Sequence, residues 1–165
     1  MPQHHLAQLN VASAKEPLDS PLMADFVVNL ERINALAEQS PGFVWRLMDE
    51  SGDATAIRPF GDDVIVNMSV WTDVASLSNY AFKSAHVDIM RRRNEWFDRM
   101  AEAYAVLWWV PVGHRPSMDE AKERLDHLRN FGTSPHAFTF KDACPAPDSP
   151  RPAQVVTSND TCPTS

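Results

Sequence analysis

The sequence predicts an α+β domain of ferredoxin-like order, βαββαβ with an extra αβ extension, that pairs with a second copy of itself. Three observations carry that expectation: the order of strand and helix periodicities, strands that are apolar at both parities, and a Pro/Ser-rich end with little to bury. A chain of 165 residues has room for one domain, and its core needs no metal or disulfide staple. Residues 1–143 read as that domain and residues 144–165 as a disordered tail.

Residues 5–11 alternate enough to read as a first strand. Asp19-Ser20-Pro21 then opens a helix, with a capping side chain just before a proline at the first helical position. Leu22, Phe26, Leu30, Ile33 and Leu36 follow at helical spacing and make it amphipathic. Ser40-Pro41-Gly42 stops it, residues 43–48 read as a second strand, and Ser51-Gly52-Asp53 supplies turn chemistry. Residues 64–71 form a third strand. Thr72 is placed to cap one long helix over about 73–100, whose apolar stripe is Val74, Leu77, Ala81, Ala85, Ile89 and Trp96. Residues 104–110 are β-prone and end at Pro111. Ser117-Met118-Asp119-Glu120 has the form of a capping box for a third helix carrying Ala121, Leu125 and Leu128. Gly132 and Pro135 close that helix before a last short strand over 137–140.

Self-pairing follows from the strands. Val64, Val66, Met68 and Val70 alternate with Ile65 and Trp71, and Leu107, Trp108, Trp109 and Val110 are continuous, so both sheet faces must be buried. Helices that cover one face leave the other for a partner subunit, and a homodimer is the simplest supply.

A net charge of −7 argues against a nucleic-acid partner. The N-terminus has no basic segment leading into an apolar one, and no run is long enough to span a bilayer, so the expectation is a cytoplasmic protein without a membrane partner. Cys144 and Cys162 make no disulfide framework, and His114, His127 and His136 show no regular metal spacing. No glycine-rich phosphate loop, zinc motif or nucleophile elbow occurs.

Val70-Trp71-Thr72-Asp73, Ser84-Ala85-His86, the run Arg91-Arg92-Arg93-Asn94-Glu95-Trp96-Phe97, and Trp108-Trp109-Val110-Pro111-Val112-Gly113-His114-Arg115-Pro116 occur in that order. Over residues 6–140 the chain resembles the bacterial family known as domain of unknown function 3291, which is similar to the antibiotic-biosynthesis monooxygenase-like group. The resemblance implies a dimeric α/β barrel. That group includes cofactor-free oxygenases of polycyclic phenols, haem-degrading enzymes, isomerases, cyclases and members without established catalysis, so fold leaves the reaction open. In its haem-degrading branch an Asn on the first strand, a Trp near the end of the third and a His on the next helix act together; Asn10, Trp71 and His86 occupy comparable elements here.

His86 is the candidate catalytic residue. It falls at the flank of the apolar stripe beside Met90 and Arg93, able to serve as general base, orienting donor or haem ligand, or else as a half-buried histidine with a backbone partner. Asn67 and Ser69 share a strand face with Ile65 and Trp71, and Gln8, Asn10 and Arg46 fit comparable positions on neighbouring strands; such polar groups mark a ligand cavity or a dimer hydrogen-bond network. Trp45, Trp71, Trp96, Trp108 and Trp109 suit a flat organic ligand or a core. Arg91-Arg92-Arg93 invites an anion clamp, but successive helix residues point about 100° apart and Asp88, Glu95 and Asp98 can pair with them, which favours a solvated face. His114 lies in a loop after a strand. The candidate substrate-binding set is therefore Asn10, Arg46, Asn67, Trp71, Met90, Arg93, Trp108 and His114, around a hydrophobic aromatic or polycyclic metabolite, with oxygenation or a proton-transfer or cyclisation step of isomerase or cyclase type as the reaction and no metal or cofactor required. Two alternatives stay open: a haem-binding or haem-degrading protein, and a non-catalytic dimeric module that binds a ligand or a protein.

Overall fold

Period-two alternation in β1 (His4–Ser13) sets Ala7, Leu9 and Val11 on one sheet face and Leu6, Gln8, Asn10 and Ala12 on the other. The computed structural model, which describes residues 2–49, 52–84 and 86–149, pairs β1 antiparallel with both β3 (Val64–Trp71) and β4 (Ala105–Pro111). β2 (Phe43–Arg46) pairs antiparallel with the far side of β3. The resulting order, β2-β3-β1-β4, is the ferredoxin-like one the sequence predicts. The last short strand shrinks to a single bridge, in which Phe138 and Leu107 exchange backbone hydrogen bonds of 2.9 and 2.8 Å on the outer side of β4.

The barrel expectation is corrected. The sheet is open, with β2 at one edge and β4 near the other, and it does not close on itself. Its first face is already filled from within the chain: α5 (Met118–Phe131) lays Ala121, Leu125 and Leu128 on Ala7, Leu9, Val11, Val106, Trp108 and Val110. The connection from β2 to β3 covers the remaining half with Leu47, Ala54, Ile57 and Phe60. Helices therefore cover both faces, because the third helix crosses to the side that the sequence reading left for a partner. Its start follows the expected capping box: Ser117 Oγ accepts from the Glu120 N–H at 3.1 Å.

On the second face a single turn of 3-10 helix, Pro21–Met23, leads into α1 (Ala24–Gln39). The expected long helix is three pieces, α2 (Val74–Lys83), α3 (His86–Arg91) and α4 (Arg93–Trp96). No proline or glycine makes the breaks. Ser84 leaves helical geometry at φ −104°, ψ −178° while its hydroxyl donates back to the Tyr80 carbonyl, and Arg92 sits at φ −89°, ψ 1° between α3 and α4. The cap of α2 is Asp73 rather than Thr72, its carboxylate accepting from the Ser76 N–H at 2.7 Å. Ala85, on the expected stripe, lies outside the described residues, as do residues 150–165 of the expected tail. Residues 144–149 run back along the sheet: the Cys144 carbonyl accepts from Trp109 Nε1 at 2.9 Å, and the Asp148 carboxylate accepts from the Gln3 N–H at 2.8 Å and meets His4 Nδ1 at 2.8 Å.

The two faces differ in one respect that matters for function. The first carries a continuous apolar core. On the second, apolar packing splits into a cluster around Leu6, Trp71, Leu77, Leu107 and Phe138 and another around Ala12, Met23, Ile65, Trp96 and Phe97. Between them the strands present Gln8, Asn10, Asn67 and Ser69.

Candidate active site

Register builds a polar floor in two rows. Gln8 pairs with Ser69, which pairs in turn with Arg46, and Asn10 pairs with Asn67. Arg46 reaches this face only because a bulge between Phe43 and Trp45 shifts the parity of β2. Gln8 Nε2 donates to Ser69 Oγ at 2.8 Å and to Asn67 Oδ1 at 3.0 Å, and Trp71 Nε1 donates to the same Ser69 Oγ at 2.8 Å. Asn67, at the centre of the inner strand β3, is nevertheless solvent-exposed. An exposed side chain there requires a void between floor and helices.

That void is a cavity of two joined lobes, about 120 Å³ and about 210 Å³. Asn10, Asn34, Arg46, Asn67, His86, Met90 and Arg93 line both lobes and form the waist between them. Phe26, Leu30, Ile33 and Ile89 wall the smaller lobe, and Trp71, Leu77, Tyr80, Tyr104 and Phe140 the larger. No Asp or Glu lines either lobe among the described residues.

His86 is half-buried at the start of α3, its ring 4.8 Å from that of Tyr80, which stacks on Trp71 at 5.1 Å. Its Nδ1 lies 3.2 Å from the Ala81 carbonyl oxygen. A carbonyl only accepts, so Nδ1 carries the proton. Burial holds the imidazole below its usual range, with the Ala81 carbonyl opposing in smaller measure. At neutral pH the ring is therefore uncharged, and Nε2, which has no hydrogen-bond partner among the described residues, keeps its lone pair. Burial likewise holds the Tyr80 phenol above its usual range, so it stays a neutral donor to the Ile33 carbonyl at 3.3 Å. Arg46 donates from Nε to Glu38 Oε1 at 2.7 Å and from Nη2 to the Gly52 carbonyl at 2.8 Å. The side chains of Asn10 and Asn34 make no hydrogen bond among the described residues, leaving both carboxamides available to a ligand.

The structure thus gathers His86, Asn10, Arg46, Asn67, Trp71, Met90 and Arg93 around one cavity. Trp108 lies on the opposite face, fully buried under α5, with Nε1 donating to Glu120 Oε2 at 3.3 Å. His114 sits in the exposed turn after β4, Nε2 3.0 Å from Glu120 Oε1. Asn34 and Tyr80 were not singled out by sequence reasoning. Asn34 offered a signal, being a polar residue beside Ile33 on the buried side of an amphipathic helix; Tyr80 offered none beyond its aromaticity. Among the described residues no group of three or more His, Cys, Asp or Glu side chains is placed to hold a metal, and no helix is long and apolar enough to cross a membrane.

Fold and cavity together define an open-sheet, ferredoxin-like α+β protein with its void between the second sheet face and the helices. The chain belongs to the family described as Domain of unknown function (DUF3291), whose model matches residues 5–154. No curated protein matches it significantly. Solved structures that are similar include SnoaB, a cofactor-independent oxygenase from Streptomyces nogalater, at 14% identity and TM-score 0.43 over 67% of this chain and 95% of that one. A protein from Pseudomonas aeruginosa is 12% identical, TM-score 0.45, over 71% and 98%. A dabb family protein with a ferredoxin-like fold from Mesorhizobium loti is 19% identical, TM-score 0.42, over 66% and 99%. Likeness at this level does not bear on the reaction.

Proposed function

We propose that the protein is a small-molecule enzyme whose cavity takes a hydrophobic aromatic or polycyclic metabolite and whose His86 removes a proton from it. The carrying observation is a neutral imidazole with Nδ1 fixed on the Ala81 carbonyl and Nε2 unengaged at a cavity that holds carboxamides without partners. A base of this kind works near neutral pH because its lone pair is free and its proton affinity is modest. Asn10, Asn34 and Asn67 orient the substrate oxygen and, donating from their amide N–H groups, stabilise the negative charge that develops on it when a proton leaves a neighbouring carbon or hydroxyl. Tyr80, backed by the fully buried Trp71 on which it stacks, supplies an aromatic wall for the ligand body.

A haem on His86 Nε2 is a poorer fit. Asn10, Asn67, Met90 and Arg93 share the waist with His86, so a rigid macrocycle against Nε2 would have to push them aside.

Anthrone, a tricyclic ketone with an acidic methylene, tests the reading. In D2O the protein should accelerate exchange of the methylene protons, and His86→Ala should slow that exchange by roughly 10²-fold or more while the fold persists. An oxygen electrode run on the same samples reports whether the carbanion goes on to react with O2. Exchange that is indifferent to His86→Ala, or a Soret band on adding hemin that His86→Ala abolishes, would overturn it.

A further inference from the structure

The three consecutive arginines have different surroundings. Arg91 Nη1 lies 3.7 Å from Asp88 Oδ1. Arg92 is engaged twice over, by Glu95 and by Asp25, each at 2.8 Å. Arg93 has no carboxylate partner among the described residues. Its guanidinium lies instead over the rings of Tyr104, at 4.5 Å, and Phe97, at 5.8 Å, and its side chain lines both lobes of the cavity. The break at Arg92 produces this difference, because it turns Arg93 towards the cavity while its neighbours meet the acids of α1, α3 and α4.

A half-buried guanidinium held over aromatic rings keeps its full charge and its hydrogen-bond donors, since the ring faces offer only a weak, diffuse counter-charge. Arg46, the other arginine at the cavity, is already satisfied by Glu38 and the Gly52 carbonyl. With Arg46 neutralised by Glu38, the lining is left with one guanidinium, that of Arg93, that has no carboxylate against it among the described residues, in a chain of net charge −7. Local charge opposes the charge of the whole molecule, which marks the cavity as built for an anion. Apart from Arg93, the polar floor and Asn34, Thr55 and His86, the rest of its lining is aromatic and aliphatic.

We infer that the ligand is a planar apolar molecule carrying an anionic oxygen group, of aryl or polycyclic carboxylate type, whose carboxylate is held by Arg93 beside the Asn10 and Asn34 carboxamides. This deepens the proposed function and rests on the same cavity, but it does not depend on proton transfer. Planar geometry suits the pairing: a guanidinium fork takes both oxygens of a carboxylate, whereas an isosteric amide offers one acceptor and a repelled N–H.

The test uses naphthalene-2-carboxylate and naphthalene-2-carboxamide as paired probes, titrated by calorimetry into the full chain. The acid should bind at least tenfold more tightly than the amide. Arg93→Gln should bring that ratio close to one without lowering the melting temperature by more than a few degrees, and Arg93→Lys should keep part of it. Arg91→Gln, which removes a surface charge of the same sign, should leave the ratio intact. Equal affinity for the two probes, no binding of either, or a ratio that survives Arg93→Gln would overturn the inference. Should Arg93→Gln fail to fold, the ratio in Arg93→Lys and its decline with added salt decide the matter, an unchanged and salt-independent ratio counting against it. The anthrone experiment is separate: exchange indifferent to His86 with the acid preference intact removes the base assignment alone, and the converse removes only the anion.

Discussion

His86 owes its properties to a backbone detail. Where Ser84 leaves helical geometry, the imidazole can come back to the Ala81 carbonyl, and an unbroken helix would have committed that carbonyl to its own ladder. Because the folded pKa lies below the unfolded value of about 6.5, the unfolded chain binds protons more readily than the folded one as pH falls below neutrality. Stability therefore rises with pH between the folded pKa and about 6.5, and it is lost on acidification through that window. In urea titrations at several pH values, the wild-type protein should weaken more than His86→Gln as pH drops below about 6.5. Parallel curves for the two would mean that the ring is not buried as a neutral group. The rate of a reaction with His86 as base falls on the same side, since protonation removes the Nε2 lone pair. Asn10, Asn67 and Ser69 could be placed on one sheet face from the sequence, because polar side chains at alternate strand positions stand out against apolar neighbours. Trp108 was misleading for a physical reason: in a strand buried on both faces, adjacent tryptophans look alike, and only register tells that Trp108 points under α5.

At the scale of elements, strands β1, β3 and β4 could be read because turns and prolines bound them, and their periodicity is local. The breaks after α2 and α3 could not, since Ser84 and Arg92 are ordinary helix residues and their departure answers tertiary packing. The joint between α1 and β2 shows how tightly the helical layer sits on the sheet. Gly42 has φ +84°, its carbonyl accepts from the Thr72 N–H at 2.8 Å, and a Cβ there would collide with the Ser76 side chain and come within 2.7 Å of Thr72 Oγ1. Gly42→Ala combines a disfavoured backbone region with a clash at the start of α2, and should cost about 2 kcal/mol or more in denaturant unfolding. Gly113→Ala, also at positive φ but with open space around it, should cost less. On the opposite face, Leu125 of α5 is fully buried against the sheet, and Leu125→Ala should destabilise by about 2–5 kcal/mol through the cavity it leaves. A loss below about 1 kcal/mol would mean that α5 does not cover that face in solution.

For the whole molecule, the cover supplied by α5 changes what a dimer would be for. The sequence reading required a partner because strands apolar at both parities had helices for one face only. Within a single chain, Ala7, Leu9, Val106 and Trp108 on the first face and Leu6, Trp71 and Phe138 on the second are all buried to within 1% of full burial. A chain whose apolar core is already buried within one copy needs no partner to exclude water from it, so self-association is expected to be separable from folding. For a protein whose folding required pairing, mass action would raise the melting temperature with concentration, because dimerisation stabilises only the folded side of the equilibrium. Dimerisation of an independently folded chain would do the same, so the discriminating sample is the monomer: at a concentration where light scattering reports monomer mass, the protein should still give a cooperative melt by scanning fluorimetry. A chain that gives no cooperative melt at monomer mass would return the second copy to the fold.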